Sequence, residues 1–322
     1  MHHQLYYFIT FLLCCVVVDA SSGNHEAEEY WKAKLPTVAM PEAIKNNLLL
    51  WNGEKSLVKN GGDFDSNMGN IDDVIVVTIS KKIYEKKEHE KLSLRAWLTM
   101  HHGGVFVEKN LLVGMKLKHE FHNIENVPFL PKKMEKSMPF SKHKFTNILD
   151  RLSIKHNSLD ATTMNKTIWL CLDIPLENDE KRTCIQSLEG MVDYAIKELG
   201  TKNLKVFTMN TDAKYPNVKQ EYIVTEVKKL VVPGNYALGC HKLSYPYAVY
   251  LCHRQKEISQ YAVTLINTVT KVAIDSNVIC HNDLYAPDVP ALRELGIMPG
   301  EGPICHLYVV DDIIWTVNPN QN

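Results

Sequence analysis

The 322-residue sequence predicts an α+β domain, mainly antiparallel β-sheet and barrel-like, carrying two or three helices and stabilised by disulfides. Three observations point there. Amphipathic helical patterns come first and strand-like segments follow almost without interruption, an order that favours α+β over alternating βα units. The strand-like stretches are rich in β-branched and aromatic residues, as in Tyr247-Ala248-Val249-Tyr250-Leu251-Cys252-His253. Six cysteines remain once an N-terminal leader is set aside, an even count that suits bridging in an oxidising compartment.

Residues 1–20 read as that leader, a signal peptide. Leu5 to Val18 is an apolar run of 14 residues, too short to span a bilayer, and Val18-Asp19-Ala20 is a small-residue cleavage pattern. No later stretch is long and apolar enough for a membrane helix, so the expectation is a secreted protein of the apoplast, cell wall or storage vacuole. Cys14 and Cys15 leave with the leader. Asn165-Lys166-Thr167 is a glycosylation sequon and predicts an exposed bend at Asn165.

Residues 21–102 read as a variable N-terminal segment. Glu28 to Trp31 and Met40 to Ile44 mark helical starts, with a stop at the Asn52-Gly53 turn signal. The dense charge run from Lys81 to Lys91 reads as a solvated face or linker. Lys and Arg total 36 against 37 Asp and Glu, a net charge of -1, so there is no electrostatic case for nucleic acid or an anionic membrane.

Residues 103–322 read as one domain, long enough for a sizeable core. Ser141 is placed to cap a helix with the stripe Phe145, Ile148, Leu149 and Leu152. A second helix follows Cys184, its stripe being Ile185, Leu188, Met191, Val192, Ala195, Ile196 and Leu199, with Gly200 as its stop. Strands are expected over 204–209, 221–232, 236–242, 247–254, 261–279 with a turn inside, and 303–310, with a short helix over 289–295. Cys171 and Cys184 bracket the charged loop 176–182, and a bridge between them would restrain the unfolded chain by about 3 kcal/mol. The other four cysteines allow three pairings, among which spacing does not choose.

The stretch that organises the domain runs from Cys240 to His306. Four of the six cysteines are each followed by histidine: Cys240-His241, Cys252-His253, Cys280-His281 and Cys305-His306. With 14 histidines in 322 residues, this arises by accident with odds of roughly one in twenty thousand. Gaps of 10, 26 and 23 residues are too wide for one local metal knuckle, so the pairs must converge through the fold. On a strand, neighbouring side chains face opposite ways. The favoured reading gives the two residue types two jobs, the cysteines as cross-links and the histidines His241, His253, His281 and His306 as a metal cluster. The alternatives are histidines that are ordinary strand residues beside two disulfides, and a tetrahedral Cys/His zinc site, against which the absence of short C-x(2–4)-C spacings speaks. Imidazoles with few carboxylates nearby suit copper or zinc better than calcium or magnesium.

This spacing resembles the BURP-domain family of plants. The likeness extends to Val105-Phe106-Val107-Glu108-Lys109-Asn110-Leu111, to Phe129-Leu130-Pro131 followed by Ser137-Met138-Pro139-Phe140-Ser141, to Lys181 through Met191, and to Tyr245-Pro246-Tyr247-Ala248-Val249. Many members carry a Trp and a further His after the third pair. Here Asn282 to Asp288 leads into Val289-Pro290-Ala291-Leu292 without either, which is similar to the unknown-seed-protein-like branch.

The resemblance implies copper as the cofactor of the four histidines, and two alternative roles. One is a seed, cell-wall or stress-related protein without catalysis, with cell-wall components as partners. The other is a copper-dependent autocatalytic peptide cyclase that cross-links a Trp or Tyr ring of a core peptide in its own N-terminal segment. Asn47-Leu48-Leu49-Leu50-Trp51 is the one stretch similar to such a core, which makes Trp51 the candidate substrate residue; the same residues also read as the buried face of the N-terminal helix.

Overall fold

The computed structural model describes residues 21–48, 104–121, 126–173, 181–209, 218–285, 293, 296–308 and 310–319. The leader, the Lys81–Lys91 charge run, Trp51 and most of the expected 289–295 helix lie outside the described residues.

Two antiparallel sheets carry the fold. The six-stranded sheet has the order β1-β10-β9-β8-β5-β2, formed by Phe106–Val107, Pro303–Leu307, Ala273–Tyr285, Ile258–Asn267, Gln220–Leu230 and Lys116–His119. The five-stranded sheet has the order β3-β7-β6-β11-β4, formed by Arg182–Ile185, Val249–Lys256, Tyr236–Leu243, Ile313–Val317 and Leu204–Thr208. The architecture is α+β with β-structure dominant, as the order of patterns predicts. The expected strands are present, with β10 ending at Leu307 and not Val310, and β7 starting at Val249. Strands β1, β2, β3 and β11 are additional to them.

Helices cover the outer face of the five-stranded sheet. The helix after Cys184 is α6, Leu188–Leu199. Ser187 caps it by accepting from Gly190 N at 3.1 Å, and Gly200 ends it at φ 71°, a left-handed conformation that glycine adopts without a Cβ clash. Its stripe Leu188, Met191, Val192, Ala195 and Leu199 packs on Leu238, Tyr250 and Trp315. Ile185, expected to begin that stripe, instead ends β3. The N-terminal helices α1, Ser21–Lys34, and α2, Glu42–Leu48, join the same core through Ala27, Trp31, Leu35, Ile44 and Leu48. Trp31 lies 5.5 Å from Trp315 between ring centroids.

On the opposite face of this sheet, the one that also bears His241 and His253, lies a second helical layer of α3, Lys132–Glu135, α4, Phe145–Arg151, and α5, Leu159–Leu172. Met138, Ile148, Leu149, Leu152, Met164 and Ile168 from this layer bury Leu243, Val249 and Leu251 of β6 and β7. Ser141 precedes a 3-10 turn and makes no side-chain cap, because the chain enters α4 through Lys142–Lys144 instead of starting it directly. Ser158 is the residue that caps here, accepting from Ala161 N at the start of α5. Asn165 is exposed as expected, but it stands within α5 and not on a bend. The Cys171–Cys184 disulfide ties the end of α5 to β3, as the flanking of the charged loop predicts.

Candidate functional site

The remaining cysteines settle into two equivalent arrangements. In the β6/β7 ladder Cys240 stands directly opposite Cys252, and in the β9/β10 ladder Cys280 stands directly opposite Cys305. Both opposed pairs are disulfide-bonded, with Cα separations of 4.0 and 3.9 Å. Approach this close is characteristic of antiparallel residues facing across a non-hydrogen-bonded position. Each bridge therefore pins the register of its ladder.

Register then places the histidines. Because faces alternate along a strand, a cysteine buried in the outer core sends the next residue to the inner face. Cys240 and Cys252 pack with the α1, α2 and α6 core, and Cys280 and Cys305 pack with Phe106, Leu117, Phe121, Tyr222 and Leu265. His241, His253, His281 and His306 accordingly turn inward, between the sheets, and each is at most 1 % exposed. Within a ladder they are diagonal: His241 faces Leu251 while His253 faces Gly239, and His281 faces Ile304 while His306 faces Ile279.

The four imidazoles meet in twos. His241 Nε2 is 3.3 Å from His253 Nε2, and His281 Nε2 is 3.3 Å from His306 Nε2. The two pairs adjoin, with ring centroids of His241 and His306 6.4 Å apart, and the Tyr308 ring stacks on both, at 5.7 and 5.4 Å. Among the described residues no three His, Cys, Asp or Glu side chains stand together as a ready-made metal cage.

Neighbouring groups set the tautomers. Asp312 Oδ2 accepts from His241 Nδ1 at 3.0 Å, and the Leu307 carbonyl accepts from His306 Nδ1 at 3.1 Å. A carboxylate and a carbonyl can only accept, so these Nδ1 atoms carry the protons and each Nε2 keeps its lone pair. Burial first, then the neighbouring His253, pushes His241 well below the ordinary imidazole range. Burial first, then His241, brings His306 down to about 4. Both rings are neutral near pH 7. The Gln255 amide nitrogen lies 3.2 Å from His253 Nε2 and donates to it. The facing nitrogens of His241 and His253 are thus both acceptors, an arrangement that a shared cation satisfies. A separation of 3.3 Å is also that of two imidazole nitrogens on one ion with bonds of about 2.0–2.1 Å.

All six cysteines of the described residues are consumed in disulfides, so no thiolate is available as a ligand. Sequence reasoning named the four histidines and missed Asp312, Gln255 and Tyr308. The period-two rule could have found Gln255, which follows His253 by two and shares its face. Asp312 sits between strands, where no local signal marks it.

Two antiparallel sheets, each pinned by a disulfide between opposed cysteines that turns a pair of imidazoles into the space between them, define a disulfide-stabilised α+β class with a histidine core. Residues 105–317 match the family profile of the BURP domain, and the chain belongs to that family. It is 30 % identical over 308 residues to "BURP domain-containing protein 5" of Oryza sativa subsp. japonica, covering 91 % of this chain and 89 % of the relative. It is 29 % identical over 316 residues to "BURP domain-containing protein 2" of the same plant, covering 95 % and 97 %. Over 219 residues it is 31 % identical to "BURP domain protein RD22" of Arabidopsis thaliana, covering 65 % of this chain and 54 % of that protein.

Proposed function

We propose that this chain is an exported plant protein whose His241, His253, His281 and His306 bind copper, serving a seed, cell-wall or stress-related role. The observation that carries the reading is the pair of Nε2–Nε2 contacts, each 3.3 Å, buried side by side between the sheets. An all-imidazole donor set, with every described cysteine held in a disulfide, suits copper on ligand softness, and copper heads the affinity order for nitrogen sites. The Asp312 carboxylate orients His241 by accepting from the ring nitrogen that faces away from His253, and supplies negative charge beside the cluster. Three disulfides suit an oxidising compartment, and among the described residues no helix is long and apolar enough to cross a membrane. The test is Cu(II) uptake by the mature protein, read by metal analysis. His253→Ala and His281→Ala should each lower the stoichiometry. A quadruple His→Ala variant that bound as much copper as the parent would refute the reading.

The second reading, an autocatalytic peptide cyclase, is favoured by the position of α2. Asn47, next to the last residue of α2, lies against β6 and β7: Lys242 Nζ donates to Asn47 Oδ1 at 3.4 Å, and Asn47 Nδ2 donates to Tyr250 Oη at 3.3 Å. Helix α2 thus ends beside the strand that bears His241, on the face opposite that imidazole. Bound copper would supply the oxidising chemistry; the chain's own contribution is to hold its N-terminal segment against the domain. Incubation with copper and oxygen should remove two hydrogens from the peptide containing Trp51. A linear peptide after copper loading leaves the non-catalytic role.

A further inference from the structure

Helix α5 carries an apolar stripe that the core does not use. Trp169 is 39 % exposed and Leu172 52 % exposed, although the same helix buries Ala161, Met164, Ile168 and Leu170. Asn165, the acceptor residue of the Asn165-Lys166-Thr167 sequon, precedes Trp169 by four residues and Leu172 by seven, so all three share one face. Helical side chains lean toward the N-terminus, so the Trp169 ring lies over the turn that presents Asn165.

We propose that Asn165 carries an N-linked glycan whose first N-acetylglucosamine lies with its apolar face on Trp169, and that attachment precedes the docking of α5. In the attachment the Asn165 side-chain nitrogen bonds to the anomeric carbon of a lipid-pyrophosphate-linked oligosaccharide. The bond from that carbon to the pyrophosphate oxygen breaks, and the amide nitrogen gives up one proton as the lipid pyrophosphate departs; no oxidation occurs. The timing follows from Thr167. Its hydroxyl, which the sequon requires, is buried and donates to the Ser244 carbonyl at 2.8 Å, so the folded helix no longer offers the whole motif. A sugar ring on the indole covers apolar surface that would otherwise face water, and a ring C–H face suits the electron-rich indole.

The proposal rests on the export reading and is separable from it. The full chain is expressed in a glycosylating eukaryotic secretory host, and the medium and the cells are both collected. The expected result is secreted protein bearing a glycan at Asn165, absent in Asn165→Gln. Trimming to a single N-acetylglucosamine should leave Trp169 shielded from acrylamide quenching, and full enzymatic removal should unshield it and lower Tm by about 2 °C. In Trp169→Phe the aromatic platform persists and part of the Tm shift remains; in Trp169→Ala the shift is lost while occupancy is unchanged. Folded, unglycosylated protein offered to the glycosylation machinery in microsomes should stay unmodified. Secreted protein with Asn165 bare overturns the proposal and leaves export standing, whereas protein kept in the cytosol overturns export itself. Glycosylated protein whose Trp169 quenching is indifferent to the first sugar overturns the contact.

Discussion

His241 and His253 are not opposite one another in the β6/β7 ladder, yet their Nε2 atoms lie 3.3 Å apart. The residue opposite His253 is Gly239, and that absence of a side chain leaves room for Tyr308 and Gln255, which flank the pair. A Cβ on Gly239 would stand 2.9 Å from the Tyr308 hydroxyl and 3.2 Å from Gln255 Nε2. The same diagonal recurs at His281 and His306 in the other sheet.

Gly239→Ala should therefore displace Tyr308 from its stack on His241 and His306. The Gly239 backbone has no positive φ to protect, so the effect comes from overpacking and should cost about 1–3 kcal/mol. Denaturant midpoints measure the cost. Near-ultraviolet circular dichroism should report the change at Tyr308, and an unchanged midpoint and spectrum would show that the space is not filled as described.

Loss of either the Cys240–Cys252 or the Cys280–Cys305 disulfide should destabilise the domain by similar amounts. Cys240 and Cys252 are 12 residues apart in sequence and Cys280 and Cys305 are 25 apart. Loop entropy grows slowly with length, so each double Cys→Ala variant should lose about 3 kcal/mol, slightly more for the longer loop. Non-reducing peptide mapping checks the pairings first; recovery of a Cys240–Cys280 peptide would contradict the register.

The metal-free protein should lose stability in mild acid. His306 titrates near 6.5 when unfolded and is held at about 4 when folded, and His241 is depressed in the same direction. A depressed histidine binds fewer protons folded than unfolded. Its stabilising effect is complete above pH 6.5 and disappears as pH falls toward 4. For His306 alone the difference amounts to about 3 kcal/mol. Urea midpoints should fall between pH 6.5 and 4 in the parent and fall less steeply in His306→Gln.

Much of this arrangement was open to sequence reasoning, and the exceptions have physical causes. That the cysteines and histidines face opposite ways follows from strand alternation alone. The Cys240–Cys252 pairing stays open in the sequence, because it depends on a hairpin centred on Pro246 that brings β6 against β7 with those two positions opposed. The Cys280–Cys305 pairing crosses a long connection whose closure no local pattern dictates. Helix α5 escaped notice because Thr162, Thr163 and Asn165 are weak helix formers and its apolar residues, Leu159, Trp169 and Leu172 included, lie on more than one face. Strand β11 escaped because Ile313-Ile314-Trp315 is apolar on both faces, where alternation vanishes. Asp312 gains its meaning only from β11 lying beside β6, a contact between residues 71 apart.

Asp312 offers the sharpest separation of metal binding from structure. Its Oδ2 accepts from His241 Nδ1 at 3.0 Å, which holds the proton on the outer nitrogen and leaves Nε2 to face His253. Asp312→Asn keeps an oxygen able to accept that proton but removes the charge; Asp312→Leu removes both and frees the ring to take the other tautomer. If the four histidines hold copper, affinity should fall in the order parent, Asn, Leu, by about 10–100-fold across the series. The Leu variant removes a buried carboxylate as well as its partner bond, so its stability need not follow the same order. Competition with a chelator of known strength gives the affinities, and urea unfolding of the metal-free proteins gives the stabilities. Copper affinity that tracked stability alone, with Asn and parent equal, would mean that Asp312 packs the core and does not orient a ligand.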